Sequence, residues 1–527
     1  MAKFFCGAIS FLILMFMFFG CVITTSAQDI TLWGNLEPGP YAIGFKSFER
    51  YDYSRVFRAR LDYFGNPVEG ETARPIQICA WYPAKTMDNP ITMVYGEYTY
   101  SYPENDEFSD VLTRLHNREI RYIVNSTQRR PDFALEILGK DLKAVRDAEP
   151  EGGSFPLIIY CPHYESSYCE NAALCEYLAS KGFIVAATHP LGQYADTPEY
   201  SQIGLEATAR DAEFVLGSMH DYPNVDYDKI GILGSGAGGA TAVLIKLRNS
   251  NIKTIATLAG SLTFGMLQEL ITDNPAFSPN RMDGSLMNLY PTTAHELDFS
   301  LIDSLIFTSR YSYGFPSNSY EDFSMARAVL GMISDSTGLM HRQRLDGFKM
   351  VATHVYHFFN AMLNDESQSK TFIENTPLHN GYGLEFVTRE FKAALPLPPT
   401  QNQLMQIFTN GETLSGLDLY DKFNSEYPGM YNIPIQNFNM LGYQLLGAGR
   451  IPESVRIMKI VADNYPNVAN AWDSYADACM AAGDTVMVIQ CYKNVLEVLP
   501  NDNTADDNMK QTLKTIAETF LGQIEEN

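Results

Sequence analysis

The chain has 527 residues, of which 46% are apolar, enough for two or more domains each with its own core. Its formal net charge of −24, offset by no basic run, sets aside nucleic acid and anionic membrane surfaces as partners, because both are polyanions. Eight cysteines contain no Cys-x-x-Cys pair, so neither a structural zinc site nor any other cofactor is expected.

Met1-Ala2-Lys3, an apolar run from Phe4 to Ile23 and then Thr24-Thr25-Ser26-Ala27 have the three regions of an export signal. Cleavage after Ala27 makes 1–27 a signal peptide and sends the mature chain to a bacterial periplasm or out of the cell. A second reading is lipid attachment at Cys21, where Phe18-Phe19-Gly20 departs from the usual aliphatic pattern; a third is an uncleaved anchor. Membrane association is expected only through lipidation at Cys21. No later segment is long and apolar enough to span a bilayer. Cys79, Cys161, Cys169, Cys175, Cys479 and Cys491 remain, sparse and in apolar settings that suit buried thiols, with Cys169 and Cys175 the pair near enough in sequence to consider bridging.

Residues 28–150 open with β-like pieces, including Ile76 to Tyr82, followed by a polar helical stretch from Glu104 to Arg146. From Phe155 short apolar runs alternate with helical patterns. Strands are expected at Leu157–Cys161, Phe183–Thr188, Lys229–Leu233 and Ile252–Leu258, with helices at Asn171–Lys181 and Leu205–Met219 between them. This rhythm predicts an α/β domain built on a parallel sheet covered on both faces.

The run Gly231-Ile232-Leu233-Gly234-Ser235-Gly236-Ala237-Gly238-Gly239 is a strand, a tight glycine turn and a helix start, the setting of a nucleophile elbow, Gly-x-Ser-x-Gly. Gly234 and Gly238 are the frame glycines, so the serine position falls on Gly236. Glycine tolerates the sparsely populated backbone of such a turn but brings no hydroxyl. Ser235 is a displaced alternative nucleophile, expected to point away from the pocket if the turn keeps its usual form.

Residues 265–345 parse poorly, with a strand expected at Leu301–Thr308, another ending at His354 after Gly347-Phe348-Lys349-Met350-Val351-Ala352-Thr353, and a closing helix over Leu384–Leu395. Pro396-Leu397-Pro398-Pro399 marks a boundary. Thus 28–395 reads as one domain, 396–403 as a Pro-rich linker and 404–527 as an all-α domain. In the last, Phe438 and Trp472, Gly449 and Gly483, and Pro466 and Pro500 each stand 34 residues apart, the period of tetratricopeptide helix pairs. Flanking helices at 404–427 and 507–524 cap the two repeats. The stack is either a concave surface for a protein partner or a helical appendage to the first domain.

From Ile43 to Leu395 the chain resembles a secreted α/β-hydrolase of the platelet-activating-factor acetylhydrolase and dienelactone-hydrolase-like group, with tetratricopeptide-like repeats appended. The resemblance lies in Arg74-Pro75-Ile76-Gln77 leading to Trp81-Tyr82-Pro83-Ala84, in Phe155 to Tyr160, in Glu176 to Phe183, in the elbow, and in Leu258-Ala259-Gly260. It implies an α/β-hydrolase sheet and a serine, aspartate and histidine trio for acyl transfer, in which histidine takes the serine proton and the acid orients the imidazole. Carried over by position, the serine falls on Gly236, the acid on Ala259 and the base on His354, so only the base position is retained. Where relatives read Pro-Gly-Phe-Gly beside the oxyanion hole, this chain has Pro162-His163-Tyr164-Glu165, leaving the Ala237 amide as the remaining donor beside a bulky, partly acidic loop. His357-Phe358-Phe359-Asn360 likewise departs from the pattern after the base.

The resulting expectation is a degenerate, non-catalytic protein that binds a small ester- or lipid-like ligand, a protein partner, or both. The alternative is a weak or rewired serine-type esterase acting on short acyl esters or lactones. Ser166 and Ser167 read as ordinary loop serines, Cys161 as a buried strand thiol. His163, His189 and His354, with Glu165 or Asp196, sit near strand ends, but their spacing carries no metal signature. An open cleft at Gly236 would favour ligand binding; a filled one would favour scaffolding.

Overall fold

The computed structural model describes residues 31–57, 66, 73–99, 106–127, 130–293, 296–326, 338–427 and 430–525, so the leader with Cys21 lies outside the described residues. The chain divides into two compact units, residues up to 395 and residues 396–527.

Among the described residues the first unit is built on one ten-stranded sheet. Its strands are β1 (Ala42–Asp52), β2 (Arg74–Ala84), β3 (Val145–Arg146), β4 (Phe155–Cys161), β5 (Ile184–Ala187), β6 (Val225–Ser235), β7 (Ile252–Leu258), β8 (Gly284–Pro291), β9 (Thr308–Phe315) and β10 (Thr388–Lys392). Their order across the sheet is β10-β9-β8-β7-β6-β4-β5-β2-β1-β3. The six from β5 to β9 run parallel, while β2 and β10 are antiparallel to their neighbours. The parallel strands are apolar on both sides, as burial under helices on both faces requires. Alternate residues serve opposite cores: Ile158 and Tyr160 join one, and Leu157, Ile159 and Cys161 the other. This mixed sheet flanked by helices and followed by an all-α unit is an α/β-hydrolase fold with a helical domain.

The first core takes in a helix at Ala172–Ser180 and a long one at Gly338–Asn364; the second takes in helices at Gln202–Ser218, Gly238–Arg248 and Gly265–Thr272. After β4 the chain crosses to β5 on one side, and after β6 it crosses to β7 on the other. The loops leaving β4 and β6 therefore diverge, opening the crevice in which parallel α/β sheets bind ligands.

Several expectations between 265 and 395 are corrected. Leu301 lies in a short helix, Ser300–Ser304, and the strand begins only at Thr308; β8 precedes it. The segment 347–354 is not a strand but part of the Gly338–Asn364 helix, whose Phe348, Val351, Ala352, Val355, Phe358 and Phe359 form an apolar stripe at helical spacing against the sheet. Residues 384–395 do not form a helix; they carry β10, paired antiparallel with β9 through Arg389 and Tyr313. The stretch from Glu104 to Arg146 is two helices, Asp106–Thr127 and Pro131–Leu138, before β3.

In the second unit a helix runs over Gln401–Thr409, beginning inside the 396–403 span read as linker, followed by Thr413–Glu426. Helices at Ile435–Gly447 and Ile451–Asn464 are repeated 34 residues later at Ala469–Ala482 and Thr485–Val498. Gly449 and Gly483 occupy the same left-handed turn position, each with φ +75°. Among the described residues no helix is long and apolar enough to cross a membrane. The six described cysteines are buried and unpaired, Cys169 and Cys175 included.

Candidate functional site

Strand β6 ends at Ser235, and the turn that follows places Gly236 in the left-handed region, φ +50°, before the Gly238 helix begins. A Cβ on Gly236 would lie 2.3 Å from His163 Nδ1. The imidazole of His163, delivered by the loop after β4, therefore crowds the space a nucleophile side chain would enter. Its Nδ1 accepts the Ala237 backbone N–H at 3.2 Å. This contact needs a lone pair on Nδ1, so Nε2 carries the proton and donates to Tyr200 Oη at 3.3 Å. Burial, and after it the charge of the nearby Glu165 carboxylate, pushes the Tyr200 pKa up to about 12. The donor that would stabilise an oxyanion is thus already satisfied by His163.

Ala259 and Gly260 follow β7 with φ +61° and +73°. A left-handed alanine costs about 1–2 kcal/mol, while aspartate, asparagine and glycine adopt this region more readily. The backbone at 259 thus holds a conformation that aspartate or asparagine adopts more readily than the alanine present.

His354 is corrected most sharply. It sits inside the Gly338–Asn364 helix, 0% exposed, where Nδ1 donates to the Met350 carbonyl at 2.8 Å and Nε2 has no hydrogen-bond partner. Tyr313, Phe315, Phe372 and Tyr382 enclose the ring. Burial lowers its pKa to about 4. It is a core histidine and does not line the cavity at Gly236. The loop that follows β9, the last parallel strand, instead brings Tyr320, Glu321, Phe323 and Ser324 to that cavity.

The cavity holds about 620 Å³ and is open to solvent, with His163, Ser235, Gly236, Ala259 and Ser261 along its floor and aromatic residues around it. Tyr164, read with His163 as a pocket residue, is corrected: it is fully buried beneath the loop, its hydroxyl 3.2 Å from Thr208 Oγ1. Ser235 is buried, 5% exposed, and borders the cavity. Ser166 donates to Glu170 and Ser167 to Glu119, so both are structural. Burial pushes the Cys161 thiol up to about 12, which makes it inert at neutral pH.

His189 packs on Tyr168, His357 bonds to Ser369 and stacks on Phe372, and Asp196 pairs with Arg114. Among the described residues no three His, Cys, Asp or Glu side chains converge as a metal site. Sequence reasoning missed Tyr200, Glu170, Tyr320 and Phe323. The last two follow directly from topology once β9 is placed, because the loop after a parallel strand borders the crevice.

No known family profile matches the chain, and no curated protein sequence does. Among solved structures it is similar to the ferulic acid esterase from Streptomyces cinnamoneus, with 18% identity and a TM-score of 0.46 over 66% of this chain and 96% of the esterase. The order and direction of its own strands carry the fold assignment: the chain has an α/β-hydrolase sheet, with Gly236 in the turn after β6.

Proposed function

We propose that this is an exported hydrolase-fold protein that binds a ligand in the elbow cavity without covalent chemistry. One observation carries the reading: Gly236 stands at the nucleophile position, with His163 packed into the space a side chain would need and bonded to the Ala237 amide. Ala259 at the acid position and the burial of His354 support the same conclusion. The open cavity favours ligand binding over pure scaffolding. The apolar run at 4–23 supports export, and the repeated helix pairs support a partner-binding role for 404–527.

A second reading has one observation behind it: Ser235 and His163 border the same cavity, a serine and a base in a new arrangement for ester hydrolysis. Turnover of p-nitrophenyl acetate and butyrate by purified residues 28–527 separates the two. Non-catalytic binding requires hydrolysis equal to the buffer rate. Saturable turnover abolished by both Ser235→Ala and His163→Ala would replace it with a rewired esterase.

A further inference from the structure

The cavity's chemistry narrows its ligand, an inference that rests on the binding reading above. Its walls include the rings of Tyr200, Phe264, Tyr320 and Phe323, and Phe264 and Tyr320 stay 46% and 51% exposed at its rim. Half-exposed aromatic side chains around a cavity mark a surface that a ligand covers. Glu165, Glu170 and Glu321 also border it, and no lysine or arginine does among the described residues.

Glu170 is 6% exposed, yet its three donors, the Tyr160 and Ser166 hydroxyls and the His163 backbone N–H, are all uncharged. Glu165 lies near Tyr200, whose hydroxyl meets His163 Nε2 at 3.3 Å. A carboxylate offers about four acceptor sites, so both retain capacity for a further donor. An anionic ligand would meet three carboxylates and find the Ala237 amide already occupied. A neutral apolar ligand would fill the aromatic walls but desolvate Glu165 without compensation. A protonated amine on an aromatic or branched alkyl body satisfies both surfaces, with N–H donors for the carboxylates and ring faces for the cation and its apolar body. The chain's charge of −24 draws such cations in.

We infer that the elbow cavity takes a protonated organic amine with an aromatic or alkyl body. Calorimetric titration of residues 28–527 with 2-phenylethylamine at pH 7, against its uncharged counterpart 2-phenylethanol, tests this. The inference expects the amine to bind at least tenfold more tightly, with Glu165→Gln weakening amine binding at least fivefold and not weakening the alcohol, and Tyr320→Ala weakening both. Equal affinities, tighter binding of the alcohol, or no binding of either would overturn it. Hydrolysis of p-nitrophenyl acetate by the same preparation reads the non-catalytic assignment separately, since turnover would remove that assignment whatever the amine does.

Discussion

Gly236 and His163 compete for one small volume, so a side chain at 236 is expected to cost stability before it contributes chemistry. Gly236→Ser adds a Cβ 2.3 Å from His163 Nδ1 at a φ of +50°. The strain of a left-handed non-glycine residue plus the displaced ring predicts a loss of about 2 kcal/mol in urea unfolding. In a His163→Ala background the same change is expected to cost about 1 kcal/mol less, the coupling a shared volume implies. Additive effects would show that the ring does not hold that space. Gly236→Ser alone is expected to gain no esterase activity, because Ala259 supplies no acid and His354 lies in the core. His354 makes its own prediction. Its folded pKa of about 4 lies below the ordinary value of about 6.5, so the unfolded chain binds the proton more tightly. Its contribution is intact above pH 6.5 and is lost as pH falls toward 4, on the order of 3 kcal/mol over that window. His357, lowered to about 4 by burial, acts in the same direction. Urea midpoints at pH 7 and pH 5 are therefore expected to differ less in His354→Phe than in the wild type; an unchanged difference would contradict the buried neutral ring.

At the scale of elements, one ion cluster fixes the early strands to the helix over Gln202–Ser218. Arg74 on β2 places Nε and Nη2 on the two oxygens of Asp211, and Arg55 Nη2 meets Asp211 Oδ1 at 2.8 Å. Asp211 is 2% exposed, and Arg74 also donates to the carbonyls of Leu191 and Gly192. Asp211→Ala strands two buried guanidinium groups, one of them still facing Asp52, and is expected to cost about 3–5 kcal/mol in chemical denaturation. A loss below 1 kcal/mol would mean the arginines reach water instead. Much of this architecture was legible in the sequence. The apolar runs of β4, β6 and β7 and the glycine frame of the elbow are local signals, written in consecutive residues. The base position was not legible, because Lys349 to Thr353 alternates enough to read as a strand. The wider stripe from Phe348 to Phe359 has helical spacing and would have corrected it. His163 was readable as a bulky residue in an oxyanion loop, whereas its seat over Gly236 arises from two loops 74 residues apart. That juxtaposition exists only once β4 and β6 are neighbours.

Across the whole molecule, a retained hydrolase scaffold and an all-α repeat unit share one chain, and their sequence signals differ in kind. The repeat register was readable because helix starts recur at a fixed offset, from Ile435 to Ala469 and from Ile451 to Thr485. The function proposed for the first unit rests on one turn and one loop, those carrying Gly236 and His163. The most direct measurement is intact-mass analysis of residues 28–527 after exposure to a fluorophosphonate probe, which captures an activated serine without assuming a substrate. The account expects no adduct on the wild type or on Ser235→Ala, His163→Ala and His354→Ala. A single stoichiometric adduct on the wild type, lost in Ser235→Ala and in His163→Ala, would contradict it and make the cavity an active site.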